Sequence, residues 1–556
     1  MLGWKHARFS DFIRTEAVAA GENPDDTRVL QRLGQQLVEE RLVDFVGGVL
    51  AAASWLAGEN LVLDGLRHAD VFRELKRQVA GSSDIKVVHV ALTDRAARAD
   101  RVKRSEGVTD DQFREYDQNA TETQVEATPS YANLEVSGAD PRGVLASTIV
   151  RRFVPDFIAS VPRDDGESVS MLEPMTCGTA LSRLAGELIS EASEFAKEVP
   201  AGLAQPLADL VRAMNCYYSN LIEGSNATPY EIDLALSGDY ERDPTKRHLQ
   251  AEAKAHIAVQ RWIDGGNLGQ ESPMSLNFLT AIHDRFFSEF PDPQFVETHD
   301  GSHRAMVIPG GLRLDDIEVG RHRPPSAGSI LRFMRRFEAA YSAISDPKQA
   351  VLAVAAAHHR LLWIHPFSDG NGRVARLMTD ASLSRVLHTH GLWSASRGLA
   401  QHQARYKALL SACDTGRRND LDGRGNLSQE SLTAFTEFFL TTCLEQVRFM
   451  RRAMRVDEIG VHIDRWIEAS AAFGEKEASE PSKRPLCASA GKILKVLIEG
   501  GPISLVECSK HLDAGEDLET VIEQIRGPGF VRERNEMVSF ALPAHRAERF
   551  LPGLFP

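Results

Sequence analysis

The chain has 556 residues, more than one hydrophobic core usually organises, and 43% hydrophobic against 26% charged residues places it among ordinary globular proteins. A formal charge of −14 repels nucleic acid on average, and no run of 18 apolar residues could span a bilayer. The six cysteines (Cys177, Cys216, Cys413, Cys443, Cys487, Cys508) form no CxxC pair, and MLGWKHARFSDFIR lacks a basic-then-apolar leader. The expectation is a reduced, cytoplasmic protein with no membrane partner.

Residues 1–160 read as an α/β module. LQRLGQQLVEERL is helical, NLVLDGLR begins as a strand, ADVFRELKRQVA is a helix, and DIKVVHVAL is a second strand. Asp64-Gly65-Leu66-Arg67 follows the first strand, and Arg95, Arg98, Arg101 and Arg104 are spaced along TDRAARADRVKR. That order resembles the later part of a P-loop nucleotide kinase, with FSDFIR placed like the helix after the phosphate loop. No GxxxxGK[ST] occurs in the chain, so there are neither loop amides nor a lysine for phosphates. Two readings follow: a degenerate regulatory or docking module, or a start upstream of Met1. Residues 103–143 are polar and weakly periodic, read as a helical hairpin or lid and a connector.

Residues 170–470 are predominantly helical. PLADLVRAMNCYYSNLIEG (206–224) is amphipathic and closed by Gly224, a residue suited to a helix C-cap. AVLAVAAAHHRLLWI (350–364) has the composition of a buried helix, and RVARLMTDASLSRVL (373–387) starts another. Between the first and second of these, HRAMVIPGG and DDIEVGRHRPP suggest two short strands forming a β-hairpin.

The stretch HPFSDGNGRVAR (365–376) therefore lies on a tight helix–loop–helix junction. Gly370 and Gly372 let the backbone turn and approach a ligand closely. The amides of the following helix point back into the loop with the positive end of the dipole behind them. Arg373 and Arg376, three apart, share a helix face. Asp369 offers a hard oxygen ligand suited to Mg²⁺ bound with phosphates. His365 is the one side chain there able to accept a proton near pH 7. A base, a metal ligand and an anion hole together describe phosphoryl or nucleotidyl transfer.

HPFSDGNGRVAR resembles the Fic signature, HxFx(D/E)GNGRxxR, at every defined position, and the likeness extends over roughly residues 170–450. The resemblance implies an all-helical core with a β-hairpin flap, and transfer of AMP from ATP to a protein hydroxyl. In that reading His365 deprotonates a Ser, Thr or Tyr hydroxyl and Asp369 binds Mg²⁺. Gly370, Asn371, Gly372 and Arg373 hold phosphates, and Arg376 meets the γ-phosphate. The flap, IEVGRHRPP with Ile317, Val319, Gly320 and His322, docks the target backbone as an added strand. Related Doc toxins, which phosphorylate, carry Lys at the position of Gly372, so nucleotidyl transfer is favoured. The nucleoside pocket departs from many relatives, which carry Asn-Arg where this chain reads QHQARYKAL.

Ser219, Glu223 and Gly224 in SNLIEG also match the [ST]xxxE[GN] pattern of the Fic inhibitory helix. The resemblance implies that Glu223 pairs with Arg376 and denies the γ-phosphate its anchor. Independently of it, an acid next to a C-cap glycine is disfavoured by the helix dipole and calls for a partner elsewhere.

Residues 486–556, after the linker AFGEKEASEPSKRP (472–485), follow a winged-helix order: AGKILKVLIEGG, SLVECSKHL, DLETVIEQIRGPG, then FVRERNEMVSFAL as a strand pair. Glu516, Asp517, Glu519 and Glu523 against Arg526 disfavour DNA and favour a protein-interaction or homodimer role. The expectation is thus a multidomain, autoinhibited protein adenylyltransferase using Mg²⁺ and ATP on a target protein, itself included. The alternatives are removal of AMP from a modified protein, and a nucleotide-sensing regulator acting on protein or DNA through the winged helix.

Overall fold

The computed structural model describes residues 5–153 except 57–58, 82, 92–128, 130–131 and 139, and residues 178–555 except 226, 291–292, 298–303, 390, 424 and 474–484. The four arginines expected to enter a lid, Cys177, and most of the connector and linker lie outside the described residues. The chain falls into two compact units, residues 1–159 and 160–556.

In the first unit, β1 (Lys5–Arg8) leads directly into α1 (Phe9–Ala19), followed by α2 (Thr27–Glu40) and α3 (Leu42–Ala52). β2 (Leu61–Asp64), α4 (Ala69–Gln78), β3 (Val88–Ala91), β4 (Leu134–Ser137) and α5 (Arg142–Phe153) complete it. β1 pairs parallel with β2, Lys5 opposite Leu61, and β3 pairs parallel with β4, Val88 opposite Leu134. Phe9, Phe45, Val46, Val49, Val71 and Leu75 form a core between helices and strands. Two features differ from the sequence reading. β4 is a strand inside the stretch read as a connector, its LEVS alternation too short to stand out from its polar surroundings. And β1 abuts α1 with no residue between them, which leaves no length of chain for a phosphate loop at that junction.

The second unit is built around α6 (Thr179–Glu198), α7 (Ala201–Glu223), α8 (Pro229–Ser237), α9 (Pro244–Asp264) and α10 (Leu276–Ser288). A two-stranded antiparallel ribbon, β5 (Phe295–Glu297) with β6 (Arg304–Met306), comes next. Then follow α11 (Ile330–Tyr341), α12 (Pro347–Ile364), α13 (Asn371–Leu387), α14 (Ala395–Gln401), α15 (Gln403–Cys413), α16 (Gln429–Ala453) and α17 (Val456–Phe473). α12 starts where the Asp346 carboxylate accepts from Gln349 N and Pro347 supplies the first helical residue. Its run VLAVAAA lets α6, α11, α13 and α16 approach closely, and it is buried almost throughout. α7 is nearly as enclosed, against α9, α13, α14 and the C-terminal portion, and Gly224 closes it at φ +90°.

That C-terminal portion has α18 (Ala488–Gly500), β7 (Ile503–Ser504), α19 (Leu505–Ser509), α20 (Leu518–Arg526), β8 (Val531–Arg534) and β9 (Met537–Phe540), the strands ordered β7-β9-β8. It packs on α7 and α17 within the same compact unit. No described helix is long and apolar enough to cross a membrane, and the five described cysteines are free thiols.

The hairpin expected from HRAMVIPGG and DDIEVGRHRPP is not formed between those segments. Arg304–Met306 pairs with Phe295–Glu297 instead, and the flap is reduced to one antiparallel bridge, Val319 with His322, around Gly320 at φ +61°. Pro324 and Pro325 explain the brevity, since neither can donate to a longer ladder.

Candidate active site

α12 ends at His365, which caps it in the left-handed region (φ 49°, ψ 62°), and α13 begins after Gly370 at φ +78°. A non-glycine residue held at positive φ costs energy and persists only where its surroundings fix it. Several contacts do so here. Arg313, 1% exposed, donates through Nε to the His365 carbonyl (2.8 Å), while its backbone N donates to Pro366 O (2.8 Å). The same guanidinium reaches Asp315 O (2.7 Å) and Pro325 O, so one side chain ties the loop to both limbs of the flap. Phe367 is fully buried, its ring stacked on His283 with centroids 4.0 Å apart. His283 Nδ1 accepts from Gly310 N (2.9 Å), which leaves Nε2–H to donate to the Asp369 carbonyl (3.3 Å). Burial pushes the His283 imidazole down to about 3, so it stays neutral in this role.

The Asn371 side chain is engaged within the loop itself. Its Oδ1 accepts from Phe367 N (3.0 Å) and its Nδ2 donates to Phe367 O (2.8 Å), so the side chain closes the loop on itself and is not directed at phosphate. What Asn371 still offers a ligand is its backbone N–H. The first bond of α13 runs from Val374 N to Gly370 O (2.9 Å), so the amides of Asn371, Gly372 and Arg373 precede the helical ladder.

The charged residues converge from three helices and the loop between α12 and α13. Arg373 on α13 pairs with Glu252 on α9 and with Asp369 Oδ2 (3.0 Å), and lies over the Phe286 ring at 5.0 Å. Asp369 turns its other oxygen to Gly370 N (2.6 Å) and keeps 42% of its side chain exposed. Arg376, almost wholly buried, donates through Nε to Ser219 Oγ (2.8 Å) and through a terminal nitrogen to Glu223 Oε1 (2.5 Å), both on α7. The Glu223 carboxylate lies against the first turn of α13. A methyl group at Gly372 would stand 2.0 Å from Glu223 Oε1 and 3.1 Å from the nearer Arg376 nitrogen. An acid at the unfavourable end of α7 is thus set at the favourable end of α13. Burial works to raise the Glu223 carboxyl, but the charge and hydrogen bond of Arg376, with Arg373, outweigh it and hold it below the usual carboxylate range, Asp369 opposing them.

The same carboxylate influences His365. Burial, with the Arg313 charge, lowers that imidazole to about 4, and Glu223 is among the groups opposing the shift. The Nδ1 of His365 faces the Leu362 carbonyl at 3.3 Å. A carbonyl can only accept, so Nδ1 carries the proton and Nε2 keeps its lone pair. Glu223 is accordingly the common neighbour of His365, Asp369, Gly372, Arg373 and Arg376.

The flap is anchored beside this group. His322 Nε2 lies 2.7 Å from Trp363 O at the end of α12, and Glu318 pairs with Arg323 at 2.7 Å. Val319 and Gly320 are exposed at its tip, and Ile317 is half-buried. QHQARYKAL also does something unforeseen: Gln403 donates to the Ile222 carbonyl (3.0 Å) in the last turn of α7, and Tyr406 lies 2.7 Å from His358 Nε2 in the core. Arg313, Glu252, Gln403 and His283 were absent from the sequence reading. Each acts on a residue far along the chain and belongs to no local pattern.

The helices thus present an imidazole, an exposed carboxylate and two arginines around one helix N-terminus. Residues 273–383 match the model of the Fic/DOC family. The chain is 34% identical over 177 residues to the protein adenylyltransferase Fic of Culex quinquefasciatus, over 30% of this chain and 34% of that protein. It is 42% identical over 143 residues to the protein of the same name from Drosophila mojavensis, over 24% of this chain and 28% of that one. The matches thus span about a third of those relatives' length. Among solved structures it is similar to a Fic family protein from Desulfovibrio desulfuricans G20, 15% identical with a TM-score of 0.37, over 66% of this chain and 98% of that one. It is similar also to residues 134–508 of Fic-1 from C. elegans, 15% identical with a TM-score of 0.34, over 80% and 97%.

Proposed function

We propose that the chain is a protein adenylyltransferase that uses Mg²⁺-ATP and is held back by its own Glu223. The observation that carries this reading is the Glu223 carboxylate seated at the N-terminus of α13 and paired with Arg376: an acidic side chain stands where the amides and a guanidinium would otherwise receive a phosphate.

With Glu223 withdrawn, the amides of Asn371, Gly372 and Arg373 and the freed Arg376 would hold the triphosphate. His365 Nε2 would take the proton of a target hydroxyl whose oxygen attacks the α-phosphorus. The new O–P bond forms as the bond to pyrophosphate breaks, and AMP stays on the target. A neutral imidazole is ready for that step, and the incoming triphosphate, being negative, raises its proton affinity as it binds. Asp369 suits Mg²⁺, which takes one or two carboxylates together with phosphate oxygens, and whose charge would neutralise the leaving pyrophosphate. The exposed tip of the flap, Val319 and Gly320, would meet the target backbone.

Further assignments rest on element order alone. Residues 1–160 read as a kinase-like remnant and 486–556 as a winged helix within a domain scheme whose catalytic part is 170–470. Arg526 is surrounded by Glu519, Glu523 and Glu533, which supports a protein-contact role for that last portion over DNA.

The test uses the Glu223→Gly variant with ATP labelled at the α- or the γ-phosphate. Label from the α-position only is expected in protein, and adding His365→Ala should abolish it. Incorporation of γ-label would mean phosphoryl transfer, and full labelling with His365→Ala would remove the base.

A further inference from the structure

We propose that the C-terminal segment 553–555 clamps α7 in its inhibitory position, with Tyr218 and Arg397 as the positioning residues that couple it to Glu223. This rests on the reading of Glu223 as a brake.

Tyr218 and Ser219 are consecutive on α7, and they point the helix at two different partners. Ser219 accepts from Arg376 in the site (2.8 Å). Tyr218, 4% exposed, donates its hydroxyl to the Leu554 carbonyl at 2.6 Å, and its ring stacks on Phe555 with planes 6° apart. Burial pushes the Tyr218 hydroxyl up to about 12, so it remains a donor throughout the physiological range. Tyr217 meets the same Phe555 ring edge-on, centroids 5.5 Å apart.

The tail is itself rigidly presented. Arg397 on α14 donates to Leu554 O (3.3 Å) and to Gly553 O, and its own plane is held by Gln446 (2.6 Å) and the Phe449 ring (3.9 Å). Glu548 accepts from Gly553 N (2.8 Å) and Phe555 N (2.7 Å). The Leu554 carbonyl thus receives one donor from α7 and one from α14, and bridges them.

Grip at other points of α7 fits the same function. At its start Gly202 is so close to α18 that a methyl group there would fall 1.8 Å from Leu497 O. Farther on, Asp209 pairs with Arg532 of β8 at 3.5 Å. The C-terminal portion therefore touches α7 at its first turn, its middle and one turn before Glu223. Loss of the last contact loosens α7 one turn before the carboxylate and leaves Gln403, at the Ile222 carbonyl, as the remaining hold on its last turn, while the catalytic loop, braced separately by Arg313 and Asn371, is untouched.

The experiment measures self-labelling with α-labelled ATP by the full chain carrying Tyr218→Phe or Phe555→Ala, each alone and with Glu223→Gly. Tyr218→Phe removes one buried hydrogen bond and keeps the ring, and losing that bond should raise labelling roughly fivefold. Phe555→Ala should act in the same direction. With Glu223 already Gly, both should change labelling much less, because the carboxylate that α7 positions is gone and only the Ser219–Arg376 contact still joins α7 to the site; a merely structural role would lower it there. If Glu223→Gly raises labelling and neither tail variant does, the clamp is overturned and the brake stands. If Glu223→Gly raises nothing, both fall. A tail effect that persists in the Glu223→Gly background overturns the coupling through α7.

Discussion

His365, the proposed base, illustrates how much of a side chain's behaviour is decided outside its own motif. A histidine in solution titrates near 6.5, but burial and the Arg313 charge lower this one to about 4. The folded pKa lies below the ordinary value, so the neutral, proton-accepting form dominates at every pH above it. Labelling by Glu223→Gly should accordingly be nearly flat between about pH 8 and about pH 6, and fall only at lower pH. The pH dependence of kcat/KM for that variant, which reports groups of the free protein, checks this; a drop with a midpoint near the ordinary histidine value would show that the imidazole is not enclosed as described. The motif spelled out His365, Asp369 and the arginines because those residues lie within one helix–loop–helix junction. Arg313 could not be read in the same way, since in GGLRL nothing local announces that its guanidinium will reach His365 52 residues away.

At the scale of elements, the loop between α12 and α13 is made by two left-handed residues and closed by Asn371. Gly370 has φ +78°, and a methyl group there would stand 2.8 Å from the Phe287 ring, so Gly370→Ala meets both backbone strain and a clash. A left-handed L-residue costs about 1–2 kcal/mol before any clash is counted. The variant should unfold several degrees lower in a thermal melt and lose nucleotide labelling, whereas an unchanged melting temperature would contradict the tight loop geometry. The helices were legible in the sequence because amphipathic spacing, composition and cap residues state them: Gly224 after SNLIE falls where a helix end is expected. Strands such as Leu61–Asp64 and Val88–Ala91 were legible too, but two short ones were not. Leu134–Ser137 and Phe295–Glu297 are too brief for a period of two to show, and their partners are set by packing. For Asn371 the coordinates add what the pattern leaves open. The pattern places it beside phosphate, but only coordinates show its amide turned back on Phe367.

For the whole molecule, the second unit packs the C-terminal portion on the helical core at α7, so the element that carries Glu223 is also one that the C-terminal portion holds. The compact units divide near residue 159, beside the first boundary read from the sequence, while the charged linker read as a second boundary falls within the second unit. On the proposed reading, inhibition would be a property of the folded unit as well as of one carboxylate. The most direct measurement compares α-labelled ATP incorporation by the unaltered chain and by Glu223→Gly under identical Mg²⁺ and ATP. Seating of Glu223 between Arg376 and the α13 amides predicts at least about tenfold more label in the variant, corresponding to about 1.4 kcal/mol of lost competition for the anion site. Equal and substantial labelling of both chains would contradict it.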